Sequence, residues 1–283
     1  MGSSKSVEKF VVFKGNADMK NPITKILRRI WTFKQPITKI PKGSKEVISD
    51  LFLWRNSDHW QTFFELIDLS GLFDTNSVME ENFVELVFFE ADGSLILKKQ
   101  IPVLKNKRET LDLSCFLLQA EGEYGTFSVF HSTTPLAVSQ LGSFITERGY
   151  TSYKSKNSIL RSYVHGNLDA VSFDGESISL LGARSFFNRK YNLQYLLDRP
   201  ALYEFGLVNS TQYQRKVTYE VYSQEGGKLV EKEIVIINPG GINVYALKMN
   251  EINAARVVIS SSLVMARPLV FRTNQNNMDV FHG

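Results

Sequence analysis

Apolar and polar residues alternate through much of the chain with the period of a β-strand. Val217, Tyr219 and Val221 alternate with Thr218, Glu220 and Tyr222, which puts one set on a core and turns the other away from it. Val171 and Phe173, then Ile178 and Leu180, alternate on either side of Asp174-Gly175. Two such runs around a glycine turn predict a hairpin. Asp92-Gly93 and Gly226-Gly227 separate other strand-like runs, and glycine there supplies the positive φ that a tight reversal needs. Asn238-Pro239-Gly240-Gly241 predicts a further turn, its proline holding φ. Strands with turn signals every ~8–12 residues predict a sandwich or barrel.

The pattern occurs twice. VELVFFEADGSLILKKQIPVLKNKRETLDL, from Val84, aligns without a gap on TYEVYSQEGGKLVEKEIVIINPGGINVYAL, from Thr218. Gly93 falls on Gly227, Leu95 on Leu229, Ile101 on Val235, Val103 on Ile237 and Leu113 on Leu247. Upstream, FFELIDLS at Phe63 is similar to YEFGLVNS at Tyr203; downstream, TFSVFHSTTPLAV from Thr126 is similar to RVVISSSLVMARP from Arg256. The pattern of strands joined by DG and PGG turns resembles the β-sandwich repeats of bacterial surface and ligand-binding proteins. The fold expected is mostly β: two related antiparallel β-sandwich modules in tandem, with a short basic amphipathic helix at the N-terminus. The corresponding division is an arm over 1–46, a first module over 47–150, an intervening β segment over 151–198 and a second module over 199–283.

The arm differs in pattern. Within NPITKILRRIWTFKQPITKI, residues 21–40, Ile23, Ile26, Leu27, Ile30 and Trp31 make one helical stripe, and Lys25, Arg28 and Arg29 fall opposite. Asn21 suits an N-cap and Pro22 the first helical position. Pro36 stops the helix near Gln35.

Charge sharpens this division. Residues 1–45 carry eleven Lys or Arg against Glu8 and Asp18, a net of +9 in a chain of +4, which leaves residues 46–283 at −5. The arm therefore calls for an acidic partner, either an anionic membrane surface or an acidic protein, reached through Lys25, Arg28 and Arg29. Its first residues, Met1-Gly2-Ser3-Ser4-Lys5-Ser6, have the form read by N-myristoyl transferases, with Gly2 as acceptor. They resemble the N-terminus of Src-type tyrosine kinases, with no glycine-rich loop or catalytic loop downstream to extend the likeness. Nucleic acid is disfavoured, because the body has no basic stripe and no RNA- or DNA-binding motif. Cys115 is the single cysteine, so no internal disulfide forms. No apolar run approaches the ~20 residues of a membrane-spanning helix, and no secretory h-region follows the first lysines. The expectation is a cytoplasmic protein, peripheral at a membrane.

Candidate chemistry is sparse. GxSxG, P-loop and metal-binding HExxH patterns are absent from the sequence, and no cofactor is implied. His165 and His282 are each followed by glycine, and His131 follows Val-Phe as His282 does. Strand-end histidines of this kind can meet at one rim, which makes His131, His165 and His282 the candidates for a metal. Arg161, Tyr163 and His165 alternate onto one strand face, with Asn167 beyond; a cation, an aromatic plate and a hydrogen-bonding ring suit a sugar or phosphate. Trp31, Trp54 and Trp60 are further stacking candidates. Three roles follow: a non-enzymatic binding protein for a carbohydrate or protein partner, an enzyme at the module junction using His165 and His282, and a structural subunit that forms a homo-oligomer through strand edges.

Overall fold

The computed structural model describes residues 38, 46–69, 81–104, 107–131, 149–156, 158–193, 197, 200–223, 227–249, 254–264, 268–274 and 278–283. The basic helix expected near residues 21–35, and with it Gly2, Lys25, Arg28, Arg29 and Trp31, lies outside them. The described chain is nearly all β. Its strands are β1 (Val47–Arg55), β2 (Trp60–Ile67), β3 (Glu81–Glu90), β4 (Leu95–Leu104), β5 (Arg108–Asp112), β6 (Tyr124–His131), β7 (Tyr150–Ser155), β8 (Ser162–Val164) and β9 (Asn167–Phe173). They continue as β10 (Ile178–Leu180), β11 (Arg184–Asn192), β12 (Leu202–Val208), β13 (Arg215–Ser223), β14 (Leu229–Ile237), β15 (Ile242–Lys248), β16 (Ala254–Leu263), β17 (Leu269–Thr273) and β18 (Met278–His282). All the strand pairs among the described residues are antiparallel.

The strands form four sheets, ordered β10-β9-β1-β6-β3-β4, β5-β2-β7-β8, β11-β16-β13-β14 and β15-β12-β17-β18. Adding ten to each strand number of β1-β6-β3-β4 and β5-β2-β7-β8 turns them into the last two sheets. Residues 151–198 are shared among three sheets: β7 and β8 join β2, β9 and β10 extend the sheet of β1, and β11 joins β16.

The expected turns have the backbone that glycine permits. Gly93, Gly175, Gly227 and Gly240 have φ of 88, 106, 60 and 70°. At Gly93 there is a second reason. A Cβ there would stand 2.2 Å from the carbonyl oxygen of Pro239, so the first hairpin's turn seats directly on the later turn of residues 238–241. Ile242 N–H donates to Ala91 O at 2.8 Å, and Thr126 Oγ1 donates to Gly240 O at 2.7 Å.

Pairing registers correct the gapless alignment in two places. Ile101 and Val235 bond to Val84 and Val217 respectively, so Val84 corresponds to Val217 and not to Thr218. Five residues separate Phe89 from Leu95, but six separate Tyr222 from Leu229; the extra residue sits in the second hairpin's turn. A register shift falls between Phe88 and Phe89, and its counterpart between Val221 and Tyr222. Similarly, Leu111 faces Phe64 and Tyr245 faces Phe205, so Phe64 corresponds to Phe205 and not to Glu204. A one-residue slip would exchange core and solvent faces, and the cores rule it out.

One core holds Phe52, Phe64, Leu86, Phe88, Phe127 and Val129, from the first two sheets. Phe52 and Phe127 stack at 5.1 Å, and Phe64 meets Phe52 edge-on at 4.9 Å. Another holds Phe205, Val217, Tyr219, Val221, Tyr245 and Ile259, from the last two, with Tyr219 and Tyr245 stacked at 4.7 Å. A third joins the halves: Leu51, Leu53, Trp60 and Tyr153 pack with Leu269, Phe271 and Val280. Each core has several buried aromatic side chains, and each such ring removes ~150–250 Å² from water.

Candidate functional site

Charged and titratable side chains meet beside the third core. At the end of β1, Arg55 is 5% exposed. Its guanidinium carbon lies 4.2 Å from the ring centre of Trp60, 4.7 Å from that of Phe271 and 4.9 Å from that of Tyr124. The short connection from β1 to β2, which lie in different sheets, places Trp60 there, and β6 and β17 supply the other rings. Arg55 Nη2 donates to Glu204 Oε1 at 2.9 Å and lies 2.8 Å from Oε2. Tyr124 O–H donates to Glu204 Oε1 at 2.6 Å. Burial raises the Tyr124 phenol above its ordinary value; the nearby Arg55 cation opposes this, and the Glu204 bond adds to it. Ring faces thus take the place of water around the buried cation, and one carboxylate balances its charge.

A second cluster lies at the strand ends. His165 follows β8, and His282 ends β18. Their rings stack with centroids 4.3 Å apart and planes at 29°. His282 Nε2 is 3.2 Å from His165 O, and His165 Nδ1 is 2.8 Å from Gly166 O. The pairings explain the meeting. Val164 pairs with Thr151, which pairs with Phe64; Phe281 pairs with Val270, which pairs with Phe205. The two histidines are therefore at corresponding positions, each one residue beyond. Between them and Leu51, Leu53, Tyr153 and Asn167 is a cavity of about 20 Å³ for the centre of a water-sized molecule, room for about one water. Tyr153 O–H donates to Leu53 O at 2.6 Å, and burial raises its phenol well above the usual range. Gly206 also lines the cavity, and a Cβ there would come 2.7 Å from Leu53 Cδ1.

The sequence-derived candidates divide accordingly. His165, Asn167 and His282 share the cavity. Arg161 and Tyr163 are elsewhere. Tyr163 pairs with Ser152, which pairs with Phe63; Arg161 covers the Phe63 ring at 3.8 Å and lies 3.7 Å from Glu65 Oε1. Glu65 is buried and also accepts from Arg108 and Thr110. Tyr163 stays half exposed. His131 is buried at the end of β6, opposite Val84. Among the described residues no group of three His, Cys, Asp or Glu side chains is arranged to hold a metal. Trp54 and Trp60 are buried, and Trp54 Nε1 donates to Phe89 O at 3.0 Å, so neither offers a platform to a sugar. Arg55 and Glu204 were missed as a pair. Their signal is a charge at the end of one apolar string, LFLWR, and a charge inside another, ALYEFGLV. No helix among the described residues is long and apolar enough to cross a membrane.

No known protein family, curated protein or solved structure matches this chain at a significant level.

Proposed function

We propose that this protein is a non-enzymatic interaction protein, two copies of one antiparallel β-sandwich in tandem, that associates with further copies of itself through a sheet edge. The observation that carries this reading is β14. It pairs with β13 alone among the described residues, and Leu229, Val230, Ile234 and Ile236 on it are 50, 48, 52 and 67% exposed. An edge strand offers a row of backbone donors and acceptors to another strand, and edges are usually guarded by charge. On β14 two of the three charged residues are engaged within the chain, and the third, Glu233, is exposed. Glu231 accepts from Tyr245 O–H at 2.9 Å, and Lys232 donates to Glu220 at 3.2 Å. The basic arm, at +9 over residues 1–45, is read as the attachment to an acidic surface.

The tandem reading is supported by the matched strand orders and by the matched register shifts in the two hairpins. The non-enzymatic reading is supported by the junction, where one ring nitrogen of each histidine faces a main-chain carbonyl beside a space for about one water.

Sedimentation velocity over a concentration series tests the proposal. The full chain is expected to self-associate, and Ile236→Lys and Ile234→Lys are expected to shift it to monomer. A wild-type chain that stays monomeric throughout, or variants that associate as wild type does, would overturn it.

A further inference from the structure

Strand β11 reads RSFFNRKYN. Successive side chains of a regular strand point to opposite faces, so one of two adjacent phenylalanines in a sheet ought to be covered. Neither is: Phe186 is 87% exposed and Phe187 72%. The pairing explains it. Arg184 faces Leu263 and Arg189 faces Ser261, with a register shift between them. Five steps along β11 thus run beside two along β16, and the surplus residues bulge off the sheet. The two rings meet edge-on, 4.9 Å apart with planes at 83°, and touch each other in place of a core.

The charge along this stretch of chain has one sign. From Ser177 to Leu197 the chain carries Arg184, Arg189 and Lys190 and no Asp or Glu, within a body whose net charge is −5. Arg184 and Lys190 are exposed, and Arg189 is partly so. Burial makes the Arg215 cation harder to hold, and the nearby Arg184 cation adds to this. Lys190 lies within electrostatic reach of Glu220, which already pairs with Lys232.

We propose that this bulge is a contact for an anionic lipid bilayer. Phe186 and Phe187 enter the boundary between headgroups and acyl chains, and Arg184, Arg189 and Lys190 rest on the anionic headgroups. Protruding rings need no preformed recess in a fluid phase, and flanking cations match the negative leaflet. The surface is separate from the β14 edge and does not depend on it.

The test uses the full chain and vesicles of phosphatidylcholine with or without phosphatidylserine. Phe187→Trp reports depth, read as the difference from wild type, which has three tryptophans of its own. Its added emission is expected to shift to the blue with phosphatidylserine vesicles and to be quenched by brominated acyl chains. Phe186→Ser with Phe187→Ser is expected to lower partitioning onto those vesicles by about tenfold or more, although the basic arm is intact. Equal partitioning of wild type and double variant, or an added tryptophan that brominated chains do not quench, would overturn the proposal. An emission shift with soluble poly-glutamate and none with vesicles would instead assign the patch to an acidic protein partner, and the bilayer proposal would fall.

Discussion

The imidazole of His165 lies face to face with that of His282, 4.3 Å away, and the two come from corresponding strand ends. The contact fastens β8 to β18. Replacing His282 with Ala removes the stacked ring and its approach to His165 O, and is expected to cost about 1–2 kcal/mol. His282→Phe keeps a ring in place and is expected to cost less. Urea midpoints of the two variants check this; equal losses would mean that stacking contributes nothing.

Arg55 and Glu204 make a sharper case. Truncating one partner leaves the other charge buried and unpaired, so Arg55→Met is expected to cost about 3–5 kcal/mol. The double replacement Arg55→Met, Glu204→Leu removes both charges and is expected to recover most of that loss. Arg55→Lys is expected to fall between, because an ammonium does not lie flat against three rings as a guanidinium does. A double-mutant cycle by chemical denaturation measures the coupling.

Two glycines of the same type should respond differently. Gly93 and Gly175 both have positive φ, so alanine strains either backbone by about 1 kcal/mol. At Gly175 nothing lies within 4 Å of the new methyl, whereas at Gly93 Pro239 O is 2.2 Å away. Gly93→Ala is expected to be clearly more destabilising, because it also separates the two turns. Thermal unfolding of both variants under one buffer decides it.

Alkaline pH should destabilise the fold through its buried phenols. Burial raises the phenols of Tyr124, Tyr153, Tyr219 and Tyr245 above their ordinary value of 10.0. A raised folded-state value means that the neutral form is the one stabilised. That stability is complete below the unfolded value and is lost as pH rises beyond it. Urea midpoints are therefore expected to hold up to about pH 9.5 and to fall above about pH 10.5. The part of the tyrosinate absorbance that belongs to these four buried phenols should rise together with unfolding and not ahead of it.

Local structure was legible wherever one residue type decides the backbone. Gly93, Gly175, Gly227 and Gly240 announced their reversals, and alternation announced β13, β9 and β10. Strand-end histidines pointed to one rim for His131, His165 and His282; His165 and His282 meet, and His131 does not line their cavity. Long-range geometry was less visible. A gapless match from Val84 hid the extra residue in the second hairpin, because a turn can take an insertion that strands on either side cannot. Arg161 read as part of a ligand face, but a buried carboxylate at Glu65, nearly a hundred residues earlier in the sequence, claims it. Nothing in spacing reveals that Arg55 finds its acid on β12, since that contact depends on how one pair of sheets lies against the other.

The contact has a temporal side. Arg55 and Glu204 are 149 residues apart, so during synthesis the cation leaves the ribosome long before its carboxylate. Until β12 emerges, the nascent first half has a guanidinium with no acid to close over, and the pocket of rings lacks Phe271. Completion of the amino-terminal half therefore waits on translation of the carboxy-terminal one, and a chain released early would expose the very surface meant to be hidden.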